Sequence, residues 1–111
     1  MHPLRLGATA FLALCALPFP GGPQAADEAM LRLGRQVFLE LSEPRCGLCH
    51  TLADAGSTGA VGPSLDALAP DAARVKAAVE NGIGVMPPNE ALTAEQVEAV
   101  AHYVETVTAR K

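Results

Sequence analysis

Two cysteines and one histidine lie within a single five-residue segment of this chain, CGLCH at residues 46–50. The chain has 3 Cys and 3 His among 111 residues, and chance placement of the pattern C-x-x-C-H has an expectation of only about 0.002. Chance is therefore a poor explanation, and the segment indicates a chemical motif. Cys46 and Cys49 are too close in sequence to join distant parts of a fold, so the motif does not indicate a disulfide framework.

C-x-x-C-H is the attachment pattern of a covalently bound haem. Two thiols on one helical turn can bond to the two vinyl-derived carbons of one haem, and the adjacent imidazole of His50 then lies under the iron. Two alternatives use the same residues. A dithiol redox motif needs a βαβ context. A zinc site on Cys46, Cys49 and His50, with or without His102, needs a further closely spaced pair of ligands. The sequence offers neither of these.

The composition also favours a large apolar group at the centre of the fold. Half of the residues are apolar, yet only 4% are aromatic and Trp is absent. Aromatic rings usually contribute the largest single burial terms, and a domain of this size without a long-range disulfide is marginally stable. A haem would fill that place. The net charge of −4 argues against nucleic-acid binding, which needs clustered Lys and Arg.

Residues 1–26 have the pattern of a secretory signal peptide. Arg5 precedes a run of 12 apolar and small residues at positions 6–17, and the segment PFPGGP follows. This run is shorter than the roughly 20 apolar residues of a membrane-spanning helix. We therefore expect export to the periplasm, removal of residues 1–26, and a mature domain of residues 27–111 without a membrane span. An uncleaved N-terminal anchor is the alternative.

The mature part predicts three helices. Asp27 can cap the first, which Pro44 ends, and the second spans residues 71–81. The third begins with a capping box formed by Thr93 and Gln96. Its apolar stripe consists of Val97, Val100, Ala101, Val104 and Val107. No segment alternates as a strand does, so the predicted fold class is all-α.

Met86 is the predicted second ligand of the iron. Downstream of the motif, the candidates with a soft or nitrogen donor are Met86 and His102. Met86 stands in the loop GIGVMPP, where glycines permit close approach and two prolines stiffen the exit. His102 falls on the polar face of the third helix with Glu98 and Glu105, so we expect it to be an ordinary solvent-exposed residue.

The order of these features resembles that of the monohaem class I cytochromes c, over nearly the whole mature chain. The resemblance rests on CGLCH, on GPSL at residues 62–65, on GVMP at residues 84–87, and on terminal helices that carry Gly34 with Phe38 and Val100 with Tyr103. It implies a small cytochrome c fold, wrapped around one covalent haem, in which the N- and C-terminal helices cross. Gly34 would permit the close crossing, with Phe38 packed near Val100 and Tyr103.

The resemblance also implies a role for each site residue. Cys46 and Cys49 would form the thioethers to the haem. His50 and Met86 would be the axial ligands of the iron, and the carbonyl of Pro63 would accept the Nδ1 proton of His50. That hydrogen bond would fix the tautomer and the plane of the imidazole. No catalytic residue is implied.

The predicted function is the transfer of single electrons between redox partner proteins. The stretch from the motif through LDALAPDAARV at residues 65–75 to residues 86–87 resembles the small cytochrome subunit of bacterial sulfite dehydrogenases, which takes electrons from a molybdenum catalytic subunit. Such a protein is an electron carrier and not itself an enzyme. The alternatives are a free-standing high-potential carrier to a terminal oxidase or other reductase, and a peroxidase-like haem enzyme with an open sixth position. A four-helix gas sensor is disfavoured, because it would place C-x-x-C-H near its C-terminus, whereas the motif here lies at residues 46–50 of 111.

Overall fold

The structure is a computed structural model of the 111-residue chain, and it describes residues 1–4, 7–17 and 22–110. Arg5, Leu6 and residues 18–21, on which the signal-peptide prediction partly rests, lie outside the described residues. The described residues before position 22 form no helix or strand, and their large apolar side chains are exposed. Among the described residues, no helix has the length and apolar character to cross a membrane.

The described chain consists mainly of helices. In chain order the elements are α1 (Pro23–Gln36), a π-helical segment (Val37–Leu41), α2 (Cys46–Cys49), β1 (Thr51–Leu52), a 3-10 turn (Ala53–Ala55), β2 (Ser57–Thr58), α3 (Leu65–Leu68), α4 (Ala72–Asn81) and α5 (Ala94–Ala109). The prediction of a mainly helical fold is confirmed. The antiparallel pair β1 and β2 was missed, because two residues per strand are too few to show an alternating pattern.

The first helix begins earlier than predicted. Pro23 occupies its first turn after Gly22, which caps the helix without a side-chain hydrogen bond. Asp27 therefore lies inside α1, and its predicted role as the cap is wrong. Its Oδ1 instead lies 2.6 Å from Nε2 of His102 on α5. His102, predicted as an ordinary exposed residue, thus links the two terminal helices, although 37% of its side chain remains exposed.

The terminal helices α1 and α5 pack against each other at Gly34. A Cβ built on this buried glycine would lie 2.2 Å from the carbonyl oxygen of Ala99 and 2.4 Å from Cβ of Tyr103. Atoms do not approach so closely, so only glycine fits between the helices. Farther along the chain, the ring of Phe38 meets that of Tyr103 at a centroid distance of 6.4 Å and an interplanar angle of 62°. The expected contact of Phe38 with Tyr103 is therefore confirmed.

The hydrophobic core lies between the π-helical segment, the hairpin and α5. Its buried residues are Val37, Phe38, Leu52, Ala55, Val100, Tyr103, Val104 and Val107. The apolar stripe predicted for the third helix is buried as expected. The hydroxyl of Tyr103 donates to Oδ2 of Asp54 at 2.5 Å. Burial, together with the Asp54 carboxylate, raises the pKa of Tyr103, so its neutral hydroxyl ties α5 to the 3-10 turn.

The bounds of α4 and the start of α5 agree with the sequence prediction to within one residue. The side chain of Asp71 accepts from the N–H of Arg74 at 2.8 Å and caps α4, which Gly82 terminates with a φ of 71°. Thr93 and Gln96 form the reciprocal capping box at the start of α5. These helices are well predicted because their end signals are local in sequence.

Candidate functional site

A cavity of about 700 Å³ opens between the CGLCH motif, α4 and the loop at residues 82–89. Pockets that hold cofactors and other small molecules typically have volumes of roughly 300–1,000 Å³. The lining is mostly apolar, and it includes core residues of α5. It also includes all of the site residues predicted from the sequence: Cys46, Cys49, His50, Pro63 and Met86. The fold thus brings together residues that lie between positions 46 and 86 of the sequence.

The CGLCH motif forms the single turn α2 at the edge of this cavity. The N–H of His50 donates to the carbonyl of Cys46 at 3.0 Å and closes the turn. Cys46 and Cys49 are therefore one helical turn apart, and both are half-buried, free cysteines that line the cavity. This arrangement presents two thiols to one occupant.

Ser42 is a site residue that the sequence analysis missed. Its side chain is 1% exposed, and its Oγ lies 3.1 Å from the backbone nitrogen of Cys46 and 3.3 Å from its Sγ. Burial raises the pKa of the Cys46 thiol, so the sulfur retains its proton. No pattern in the sequence marks Ser42, because the contact is formed by the bend between the π-helical segment and α2.

The imidazole of His50 is held by the loop at residues 62–63. Its Nδ1 lies 2.8 Å from the carbonyl oxygen of Pro63, and a carbonyl can only accept, so Nδ1 carries the proton of this bond. Nε2 of the neutral ring is then free to bind a metal. A Cβ on Gly62 would lie 2.5 Å from Cε1 of His50, which explains why a glycine precedes the proline.

The loop that carries Met86 is a tight turn. Ile83 and Met86 exchange backbone hydrogen bonds of 3.0 and 2.9 Å. Gly82 and Gly84 have positive φ angles of 71° and 57°, which other residues adopt only with strain. Met86 is half-buried and lines the cavity. The glycines are therefore required by the turn that brings the thioether to the cavity.

His102 is not part of this site. It does not line the cavity, and its partner is Asp27. Across residues 1–4, 7–17 and 22–110, no group of three or more Cys, His, Asp and Glu side chains is arranged to hold a metal ion. His102 is therefore not available as a further ligand for the zinc alternative.

The charges of the cavity suit an apolar occupant that carries acidic groups. Among its described lining residues, only Arg45 and Arg74 have permanently charged side chains. A haem is a large apolar ring with two carboxylates and two vinyl groups. The apolar lining, the two guanidinium groups, the paired thiols and the free Nε2 of His50 fit each of its parts.

Of the large apolar side chains that line the cavity, three are more than half exposed. They are Val61, Ile83 and Val85, with exposed fractions of 74%, 69% and 92%, and we refer to them as the apolar rim. Exposed apolar groups gathered at a cavity are typical of a surface that contacts another molecule.

Comparison with known proteins identifies the same architecture. A family model described as cytochrome c oxidase, cbb3-type, subunit III matches residues 29–104. Among solved structures, the chain is similar to the c-type cytochrome SorU from Sinorhizobium meliloti, with 65% sequence identity and a TM-score of 0.72. The similarity covers 73% of this chain and 93% of SorU. No match was found among the curated proteins. The range matched by the family model contains the CGLCH motif, Pro63 and Met86.

Proposed function

The chain belongs to the family of c-type cytochromes described by cytochrome c oxidase, cbb3-type, subunit III, and we propose that it carries single electrons in the periplasm with one covalently attached haem c. Its family and its similarity to SorU make it an electron-transfer protein rather than an enzyme. The observation that carries the proposal is the cavity that both motif cysteines, His50 and Met86 line. Export, with removal of residues 1–26 from the mature domain 27–111, is part of the proposal.

Each residue at the cavity has a role in this proposal. Cys46 and Cys49 would provide the thioether sulfurs, and Nε2 of His50 and the sulfur of Met86 would bind the iron. When bound, the haem supplies an iron that alternates between its ferric and ferrous states. Pro63 acts through His50. Its carbonyl accepts a hydrogen bond from Nδ1–H of His50 at 2.8 Å, which fixes the orientation of the ring and makes Nε2 a stronger electron-pair donor to a metal. Met86 favours the reduced state and raises the potential relative to a second histidine.

Arg45 and Arg74 would bind the two haem carboxylates. Guanidinium groups form the stronger, charge-assisted hydrogen bonds with carboxylates. In a mostly apolar cavity such pairs also compensate for the removal of the carboxylates from water. These two residues come from different parts of the fold, the start of α2 and the helix α4.

We propose a sulfite dehydrogenase catalytic subunit as the electron donor. The support is the resemblance of residues 46–87 to the small cytochrome subunit of these enzymes. The 65% identity to the c-type cytochrome SorU supports the carrier function itself. A free-standing carrier that serves a terminal oxidase or another reductase is the competing assignment.

Mass spectrometry of the denatured mature protein tests the covalent haem. The mass should equal that of the chain plus one haem, and acidified organic solvent should not extract it. A Cys46→Ala variant should retain a single thioether and mature poorly. A variant that lacks both Cys46 and Cys49 should be essentially unfolded, because the cavity would lose the group that fills it. Extraction of the haem from the wild-type protein would overturn the proposal.

Purification from the native host tests the donor. A molybdenum-containing subunit should be recovered with the cytochrome, and sulfite should reduce the ferric protein only when that subunit is present. Recovery of the cytochrome without such a subunit, together with electron delivery to a terminal oxidase or another reductase, would instead support the competing assignment.

A further inference from the structure

Ser42 occupies an unusual position for a polar side chain. The buried polar residues among the described part of the chain are Ser42 and Thr108. The hydroxyl of Thr108 donates to the carbonyl of Val104 on its own helix at 2.8 Å, which is a common hydrogen bond for a Ser or Thr hydroxyl within a helix. Ser42 does not line the cavity itself, but its hydroxyl is directed to Cys46 of the CGLCH motif, which does.

The position of Ser42 is fixed on both sides. Its backbone N–H donates to the carbonyl of Val37 at 3.1 Å and closes the π-helical segment. Its Oγ accepts from the backbone N–H of Cys46 at 3.1 Å and from the thiol of Cys46 at 3.3 Å. One hydroxyl oxygen therefore holds both the backbone and the sulfur of Cys46. The hydrogen bonds of the described residues include none of this kind to the sulfur of Cys49.

We propose that Ser42 is the positioning residue for the thioether at Cys46: its hydroxyl directs the sulfur of Cys46 for attachment and remains hydrogen-bonded to the thioether afterwards. This inference rests on the proposed function, because it assumes that a haem is attached at Cys46. It adds a residue outside the motif to the machinery of attachment, and it makes the two cysteines of the motif unequal.

The chemistry of attachment explains why a hydroxyl suits this place. The thiol adds across a vinyl group: a bond forms between the sulfur and the carbon next to the ring, and the hydrogen of the thiol passes to the outer carbon. No group leaves and no electrons are gained or lost. Before the addition the thiol donates to Ser42; afterwards the sulfur can only accept. A hydroxyl both accepts and donates, so rotation of the Ser42 hydroxyl preserves the contact.

The test compares three variants of the full-length chain, expressed in a bacterium that attaches haem to exported c-type cytochromes. Ser42→Ala removes the hydroxyl, and the backbone of Ser42, with φ −75° and ψ 151°, is ordinary for alanine. Ser42→Thr restores a hydroxyl. Ser57→Ala is the matched control: Ser57 is half-buried beside the motif, and its hydroxyl bonds to the backbone of Leu52 and His50 but to neither cysteine.

The measured quantity is the free-thiol fraction at each cysteine. The protein is denatured, its free thiols are alkylated, and its peptides are identified by mass. For Ser42→Ala we expect a roughly threefold to tenfold larger fraction of chains with an alkylated Cys46, as the loss of a typical hydrogen bond implies, with Cys49 unchanged. Ser42→Thr should return the fraction toward the wild-type value. Ser57→Ala should leave the ratio of the free-thiol fractions at Cys46 and Cys49 as in the wild type.

A second measurement includes chains that fold poorly. A haem with one thioether retains a vinyl group, and in pyridine its reduced form absorbs at a longer wavelength than a haem with two thioethers. Unfractionated periplasmic extracts of Ser42→Ala should show this shift. Wild-type occupancy at Cys46 in Ser42→Ala, or equal losses at both cysteines, would overturn the role of Ser42. A wild-type protein without covalent haem would overturn the proposed function before any variant is compared.

Discussion

At the scale of single residues, short spacing in the sequence decided what could be predicted. Cys46, Cys49 and His50 form a motif that is complete within five residues, and Met86 stands among glycines and prolines that mark its loop. Ser42 has no such mark, because it reaches Cys46 only through the bend before α2. Arg74 was missed for a similar reason: its sequence context is that of an ordinary helix, and only the packed fold brings it to the cavity.

Replacement of Met86 tests the second axial ligand. A thioether bound to ferric iron gives a weak charge-transfer band in the far red. The oxidised wild-type protein should show this band, and Met86→Ala should abolish it and lower the reduction potential, because a thioether favours the ferrous state. Visible absorption and potentiometric titration measure the two effects.

Met30→Ala is the matched control for this variant. Met30 lies on α1, is half-buried and does not line the cavity, so its loss should leave the band in place. A band that persists in Met86→Ala would remove Met86 from the coordination of the iron. A wild-type spectrum typical of two nitrogen ligands would do the same.

At the scale of elements, the helix ends that carry local sequence signals were the best predicted. The capping box at Thr93 was found as expected, and α4 begins within one residue of its predicted start, with Asp71 as its cap. The start of α1 was predicted too late, because residues 1–26 were assigned to a signal peptide and Asp27 was expected to cap the helix. Pro23 is favourable in the first turn of a helix. The contact between Asp27 and His102 could not be predicted, since each residue has a polar helical context of its own and only the packing of α1 on α5 brings them together.

Gly34→Ala tests the packing of the terminal helices. The added Cβ would collide with the backbone of α5 at Ala99, and backbone cannot move aside as a flexible side chain does. Overpacking of this kind costs about 1–3 kcal/mol, against a gain of about 1 kcal/mol from the better helix propensity of alanine. We expect a lower free energy of unfolding, measured by denaturant titration of the holoprotein.

Gln36→Ala provides the comparison for that variant. Gln36 is exposed at the end of the same helix, and surface substitutions of this type usually change the free energy by no more than about 0.5 kcal/mol. If Gly34→Ala were as stable as Gln36→Ala, the close contact between α1 and α5 would have no energetic importance.

At the scale of the whole molecule, few charged residues are available for docking at the cavity. The chain has only two lysines, at positions 76 and 111. Lys76 is paired with Glu98 on α5, and Lys111 lies outside the described residues. A ring of lysines like that of mitochondrial-type cytochromes is therefore impossible here. The apolar rim of Val61, Ile83 and Val85 is part of the exposed surface that lines the cavity of the proposed haem.

This distribution predicts a weak salt dependence of electron transfer. Attraction between charged surfaces requires clusters of charge and fades beyond a Debye length of about 10 Å at 0.1 M salt. Stopped-flow reduction of the ferric protein by its donor, across about 10 to 300 mM salt, spans the range in which screening acts. The association rate should change little over this range.

Val85→Ser should lower the association rate at every salt concentration, since Val85 is the most exposed member of the apolar rim. Ala73→Ser is the control, at an exposed position of α4 outside the cavity lining, and it should leave the association rate unchanged. A rate that falls by orders of magnitude with salt, and that Val85→Ser leaves unchanged, would show that charge governs docking.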